Sequence, residues 1–182
     1  MTDRTAPASL VLVQELVNTL DVETGEDALA APDGLGLFAR RHGLTGLALT
    51  GDDLPAVTEL REGLRSACMA HTGAPMDPGA ARVLERRLGA APLVLGLDGA
   101  GAAALRPADG LLGVDGLAAR VAAGIAAADA GGQWQRLKAC EAEDCLWVFY
   151  DRSPAARGRW CTMAVCGSRA KMRTYRARRP SP

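Results

Sequence analysis

Four of the five cysteines fall into two pairs of equal internal spacing, Cys140 with Cys145 and Cys161 with Cys166, and fifteen residues separate the pairs. Four thiolates are the donor set of a closed tetrahedral zinc site, and a short loop lets each pair grip one edge of the tetrahedron. The intervening residues read as a hairpin. Leu146 to Tyr150 is a bulky β-prone run, Ser153 to Gly158 is turn-like, and Arg159-Trp160 leads into the second pair. A hairpin with a cysteine pair at each end gathers the sulfurs at one point, giving one structural zinc per chain. Two disulfides would instead need an oxidising compartment, and no secretory signal pattern opens the sequence. Cys68 stands apart on the apolar side of a helical pattern and reads as a small buried hydrophobe.

Basic residues follow the last cysteine. In the segment from Arg169 to Arg179, Arg169, Arg173 and Arg176 share one stripe at 100° per residue. Met172 and Tyr175 form a neighbouring stripe that could dock the helix on the zinc module, while Lys171 and Arg178 project from the other side. Such a helix fits a groove or a phosphate backbone. The formal net charge of zero conceals the division that creates it. Residues 1–133 hold 10 basic against 17 acidic side chains, and residues 134–182 hold 11 against 4. Zinc on four thiolates adds two negative charges, leaving the tail at about +5. That excess points to an anionic partner, nucleic acid first, with Arg169, Lys171, Arg173 and Arg176 as its contacts.

Other candidate chemistry is thin. His42 and His71 lack metal-ligand spacing, no nucleophile motif surrounds a serine or Cys68, and four cysteines leave zinc no open position for catalysis. The pattern is not that of an enzyme. Trp147, Phe149 and Trp160 read as the core of a small module rather than as stacking platforms for bases. Asp151 reads as a local acceptor, for Arg159 or for a turn amide. Asn18 and Thr19, at the end of the first helix, could line a ligand pocket, although a polar helix end explains them equally well.

The elements that must position these residues follow from periodicity. Met1 to Ser9 is short and polar and is expected to fray. Leu10 to Leu20 carries apolar residues at helical spacing. A second helix opens at Pro32-Asp33 and stops at Gly43, and a third is capped by Asp52 or Asp53. In the third, Leu54, Val57, Leu60, Leu64 and Ala67 share a face, with Glu59, Arg61, Glu62 and Arg65 largely off it. Asp77-Pro78 opens a fourth helix, Pro92–Leu97 and Ala102–Arg106 form a hairpin across a glycine turn, and Asp115 caps a last large helix to about Ala130. Aromatics make up only 4% of the chain, so the core is built from Leu, Val and Ala. Composition, charge sign and cysteine usage all change at Gly131-Gly132. The fold class is therefore α+β: a mainly helical domain with a β-hairpin over 1–131, able to fold alone, then a small zinc module with a basic C-terminal helix over 132–182. No apolar run reaches the length of a membrane span, and the chain reads as cytoplasmic.

The residues around the cysteines also resemble a known family. Cys145 to Ser153, Arg159-Trp160-Cys161-Thr-Met163 and Cys166-Gly167-Ser168-Arg169 resemble the CGNR zinc finger, which is named for the tetrapeptide at its last ligand. Here Ser168 replaces the family asparagine of that tetrapeptide, and Ala155 stands where a second asparagine is expected. Glu15-Leu-Val-Asn18-Thr19-Leu, followed by Leu29-Ala-Ala-Pro32-Asp33 and Phe38, looks like the start of an ABATE domain. The two in this order resemble a bacterial stress-response transcription regulator. The resemblance implies duplex DNA binding through the finger and sensing of a small-molecule effector by the larger domain, which could also pair with another copy as a homodimer. Two other readings stay open: an RNA-binding or ribosome-associated zinc protein, and a protein-interaction adaptor with a purely structural finger.

Overall fold

The structure is a computed structural model that describes residues 4–177, so Arg178 and Arg179 of the basic tail lie outside the described residues. Among the described residues, six α-helices and two antiparallel strand pairs make an α+β fold. Helix α1 (Ala8–Val17) buries Leu10, Val13, Leu16 and Val17 completely. Each such side chain contributes roughly 1.5–3 kcal/mol over exposure. The helix stops short of Leu20 because the chain turns at Asn18-Thr19, and Leu20 then bridges to Asp27 across an acidic turn. Helix α2 (Gly34–Arg41) follows. Helix α3 (Leu54–Ala70) is entered through a capping box of Thr50 and Asp53 and buries Val57, Leu60, Leu64 and Cys68. Helix α4 (Pro78–Gly89) is capped by Asp77, whose carboxylate accepts the Ala80 N–H at 2.7 Å, and packs on α3.

Helix α5 (Gly113–Asp129) is built mostly of alanine and glycine because it lies close against α1. A Cβ at Gly124 would stand 2.2 Å from the Ser9 carbonyl oxygen, so this crossing needs glycine. Strands β1 (Leu93–Leu97) and β2 (Ala103–Pro107) pair from Leu93↔Pro107 to Leu97↔Ala103, as the glycine turn foretells.

The second strand pair differs from the expected hairpin. Strand β4 (Val148–Tyr150) pairs with β3 (Leu137–Ala139), upstream of the first cysteine, and not with Arg159-Trp160. The cysteine pair Cys140–Cys145 is thus the turn of the hairpin instead of one of its flanks. All six residues of the two strands are buried. Leu137, Ala139, Val148 and Tyr150 belong to the same apolar core as α1, α3 and α5, so packing crosses the compositional boundary at residue 131.

The N-terminal arm is ordered rather than frayed from Arg4 onward. The Arg4 carbonyl accepts the Tyr150 N–H at 3.0 Å, its guanidinium donates to the Trp160 carbonyl at 2.9 Å, and it lies 4.8 Å over the Phe149 ring. Gln14 fixes the arm from below, donating to the Arg4 carbonyl and accepting the Ala6 N–H. Arg61 and Arg65 of α3 also differ from expectation, since only 3% and 4% of their surface is exposed. Both sit among polar partners that the helical period does not reveal.

Candidate metal centre and nucleic-acid interface

The first cysteine pair is shaped by backbone bonds. The Cys140 N–H donates to the Trp147 carbonyl at 3.0 Å, and the N–H groups of Cys145 and Leu146 both converge on the Ala142 carbonyl. Leu146 takes φ +50, which turns the chain back into β4. In the second pair the Thr162 hydroxyl accepts the Val165 N–H, and a π turn over Met163–Gly167 runs directly into helix α6 (Ser168–Ala177). The two pairs are tied by the Glu141 N–H to the Arg159 carbonyl at 2.9 Å and by the ion pair of Arg159 with Glu141.

The four sulfurs of Cys140, Cys145, Cys161 and Cys166 lie within 4.8 Å of one another. Zn–S bonds of 2.3 Å in a tetrahedron require sulfurs about 3.8 Å apart. Cys161 Sγ is 3.6 Å from both Cys145 Sγ and Cys166 Sγ, so the spacing fits. The donor chemistry fits too. Hydrogen bonds with Cys145 and Cys161 draw the Cys140 thiol towards ionisation, and hydrogen bonds with Cys140 and Cys145 push the Cys161 thiol's pKa up. Four sulfurs this close cannot all carry charge without a cation among them. The set is positioned to hold one metal ion, with no fifth His, Cys, Asp or Glu in the cluster among the described residues, a closed structural site in which zinc would fasten the β3–β4 turn to the base of α6.

Asp151 builds the loop between the pairs. It accepts the Ser153 N–H at 3.0 Å, the Gly158 N–H at 2.6 Å and the Lys138 ammonium at 3.1 Å, with Lys138 and Asp151 side chains only 6% and 4% exposed. Burial alone would raise its pKa, but the hydrogen bonds from Ser153, Gly158 and Lys138 outweigh burial and hold it at about 2. Its partner is a turn amide, as one expectation had it; Arg159 is engaged elsewhere. Trp147 departs from the small-core reading. Phe149 is buried, whereas Trp147 remains 39% exposed at the rim of a cleft.

Helix α6 carries the predicted basic contacts. Arg169, Arg173 and Arg176 line one groove of about 530 Å³ together with Met172, and Lys171 lies off it. Arg169 is already paired, 2.8 Å from Glu23 of the acidic turn and 3.9 Å from Asp144. Among the described residues Lys171, Arg173 and Arg176 form no ion pair. Met172 and Tyr175 do not bury against the module; they are 50% and 56% exposed, and no α6 residue is buried.

Asn18 and Thr19 have internal partners. The Asn18 amide donates to the Val148 carbonyl and accepts the Val148 N–H, both at 2.8 Å, in the manner of a strand neighbour. The Thr19 hydroxyl donates to the Leu16 carbonyl at 2.7 Å. Both also border a cleft of about 500 Å³ that shares Asp21 and Trp147 with a larger one of about 860 Å³. The larger cleft lies between the arm, the acidic turn and the second cysteine pair, with Arg4, Glu23, Phe149, Met163 and Val165 on its walls.

Sequence reasoning passed over Arg65. It donates to the Val17 carbonyl at 2.8 Å and the Leu20 carbonyl at 3.4 Å, satisfying the end of α1, and to the Leu146 carbonyl at 3.2 Å beside Cys145. Arg61 holds both Asp27 oxygens at 2.8 Å. His71 and Thr72, at the end of α3, bond the carbonyls of Leu137 and Ala139 at 2.7 Å each.

A helical domain continuous in packing with a four-cysteine metal module, and ending in an exposed basic helix, defines a metal-binding protein of the zinc-finger class. The family is shown by its match over most of the chain: residues 10–132 match the ABATE family, described as "Putative stress-induced transcription regulator", and the chain belongs to it. Residues 136–179 match the CGNR zinc finger, in the expected order. No curated protein matches the chain.

Proposed function

We propose that the protein is a cytoplasmic, zinc-containing transcription regulator that reads duplex DNA with α6. One observation carries the reading. The last two zinc ligands pass through a single turn into a helix whose Arg169, Arg173 and Arg176 share one exposed groove. The metal therefore sets the angle of the basic stripe, which an unanchored tail could not hold. Lys171, Arg173 and Arg176 take phosphates, and Arg169, nearest the metal, is placed for a base edge. The division at residue 131 is one of role, sensing before it and reading after it.

The effector enters the cleft between the acidic turn and the second cysteine pair. Glu23 lies on its wall and is the ion-pair partner of Arg169, so occupancy there acts directly on the basic stripe.

A salt titration of the zinc-loaded protein against duplex DNA and single-stranded RNA tests the proposal. Binding to duplex weakens steeply with salt, and neutralising Arg173 or Arg176 lowers the log–log slope by about one unit each. Tighter binding to RNA would favour the ribosome-associated reading instead. No binding to either at low salt would leave the finger as a protein-interaction plug.

A further inference from the structure

The hairpin β1–β2 is mostly exposed, and none of its strand residues is buried. Asp98↔Ala102 and Pro92↔Ala108 are hydrogen-bonded pairs, and bonded pairs alternate with non-bonded ones, so Leu93, Leu95, Leu97, Ala103, Leu105 and Pro107 form the non-bonded pairs and share one face. Leu95, Leu97 and Leu105 are 68%, 72% and 47% exposed, and no charged residue lies on that face. Two strands alone are marginal in water, and among the described residues no third strand joins this pair.

We infer that this face is the interface of a two-fold dimer, its occupant the same face of a second copy of the chain. Three considerations select that occupant. An exposed, two-stranded apolar face is a poor seat for a small molecule, which binds in concave sites. A face without charge offers nothing to a nucleic acid, although 23% of the chain is charged. A two-fold contact, in contrast, needs only that the patch complement itself, and a row of leucines against the same row does so. The area agrees. The face presents roughly 450 Å² per copy, so pairing buries at most about 900 Å², the size of a weak, transient interface and far below an obligate one. The dimer is therefore reversible. It would bring two α6 helices to one duplex, as two half-sites require; that consequence rests on the proposed DNA reading, while the interface itself does not.

Analytical ultracentrifugation of the full zinc-loaded chain between about 1 and 100 µM tests it, a range suited to a weak, reversible dimer. Wild type is expected to pass from monomer to dimer across that range. Leu95→Asp and Leu105→Asp are expected to stay monomeric with one zinc per chain and unchanged circular dichroism, because both side chains are exposed within the monomer. Leu37→Asp, an equally exposed leucine on α2, is expected to dimerise as wild type. A wild type that stays monomeric at the top of the range overturns the inference and leaves the face to another partner. Hairpin variants that still dimerise overturn it as well. A monomer that binds DNA sinks only the interface, and a dimer without affinity for DNA sinks only the reading of α6.

Discussion

Asp151 binds two turn amides and a buried ammonium, and through them it fixes the path from β4 to the second cysteine pair. Asp151→Ala leaves Lys138 charged and without its carboxylate in the interior, and breaking such a pair costs about 3–5 kcal/mol. Chemical denaturation of the zinc-loaded protein checks this, and zinc affinity should fall with it. Because the folded pKa is depressed, the stabilisation is complete above the carboxylate's ordinary value of 3.8 and is lost as pH falls towards 2. His71 acts at higher pH. Burial lowers its pKa below 6.5 against a smaller rise from its bond to the Leu137 carbonyl, so the folded chain binds fewer protons than the unfolded one. Stability is then full above 6.5 and declines as pH falls below it, and His42 is shifted in the same direction by burial. The pH dependence of the melting midpoint between 7 and 5 should be shallower in His71→Asn than in wild type. At the metal itself, replacing any of Cys140, Cys145, Cys161 or Cys166 by serine should abolish stoichiometric zinc and unfold the turns that carry the cysteines, as read by metal analysis and by amide exchange.

At the scale of elements, α6 is tied to the acidic part through its first turn. Its first arginine pairs with Glu23 across the chain, and both side chains are 41–47% exposed, so the contact is screened and weak. Glu23→Gln should raise affinity for duplex DNA a few-fold at low salt and hardly at all at high salt, measured by fluorescence anisotropy; a loss of affinity would mean that Glu23 orients Arg169 instead of competing for it. Which elements were legible in sequence follows from what period and spacing encode. The helices, the glycine-turned hairpin and the four ligands show as repeats of apolar residues, turn residues or cysteines. Strand β3 does not show. It is three residues long, and the charge at its centre, Lys138, is buried only because Asp151 thirteen residues later meets it. Arg61 and Arg65 escaped for the same reason, since beyond Glu62 on their own helix they bind the Asp27 carboxylate and carbonyls of other elements. Local pattern places arginine on a solvated face; a distant partner buries it.

Across the whole molecule, charge divides at residue 131 but packing does not. The acidic part presents Glu23 to the basic part, and the strands of the metal module lie in the core of the helical one. Asn18, Arg65, His71 and Thr72 bond the backbone of residues 137–148, so removing the hairpin strips partners from the ends of both α1 and α3. Metal binding supplies folding free energy to a segment as small as the finger, and shared core residues pass part of it to the helices. Two outcomes of zinc removal are therefore distinct. If residues 1–131 are an energetic unit as well as a compositional one, chelation melts the cysteine turns and leaves exchange in α1 and α3 unchanged. If the shared core couples the parts, amides at the C-terminal turns of α1 and α3 exchange faster while those of α4 do not. The geometry favours the second. Hydrogen exchange followed by mass spectrometry, with and without a chelator in reducing buffer, separates them, and unchanged protection at Val17 and Ala70 would refute coupling. Coupling of this kind also runs in reverse, so an effector that stabilises the arm and the acidic turn would tighten the metal site by the same factor.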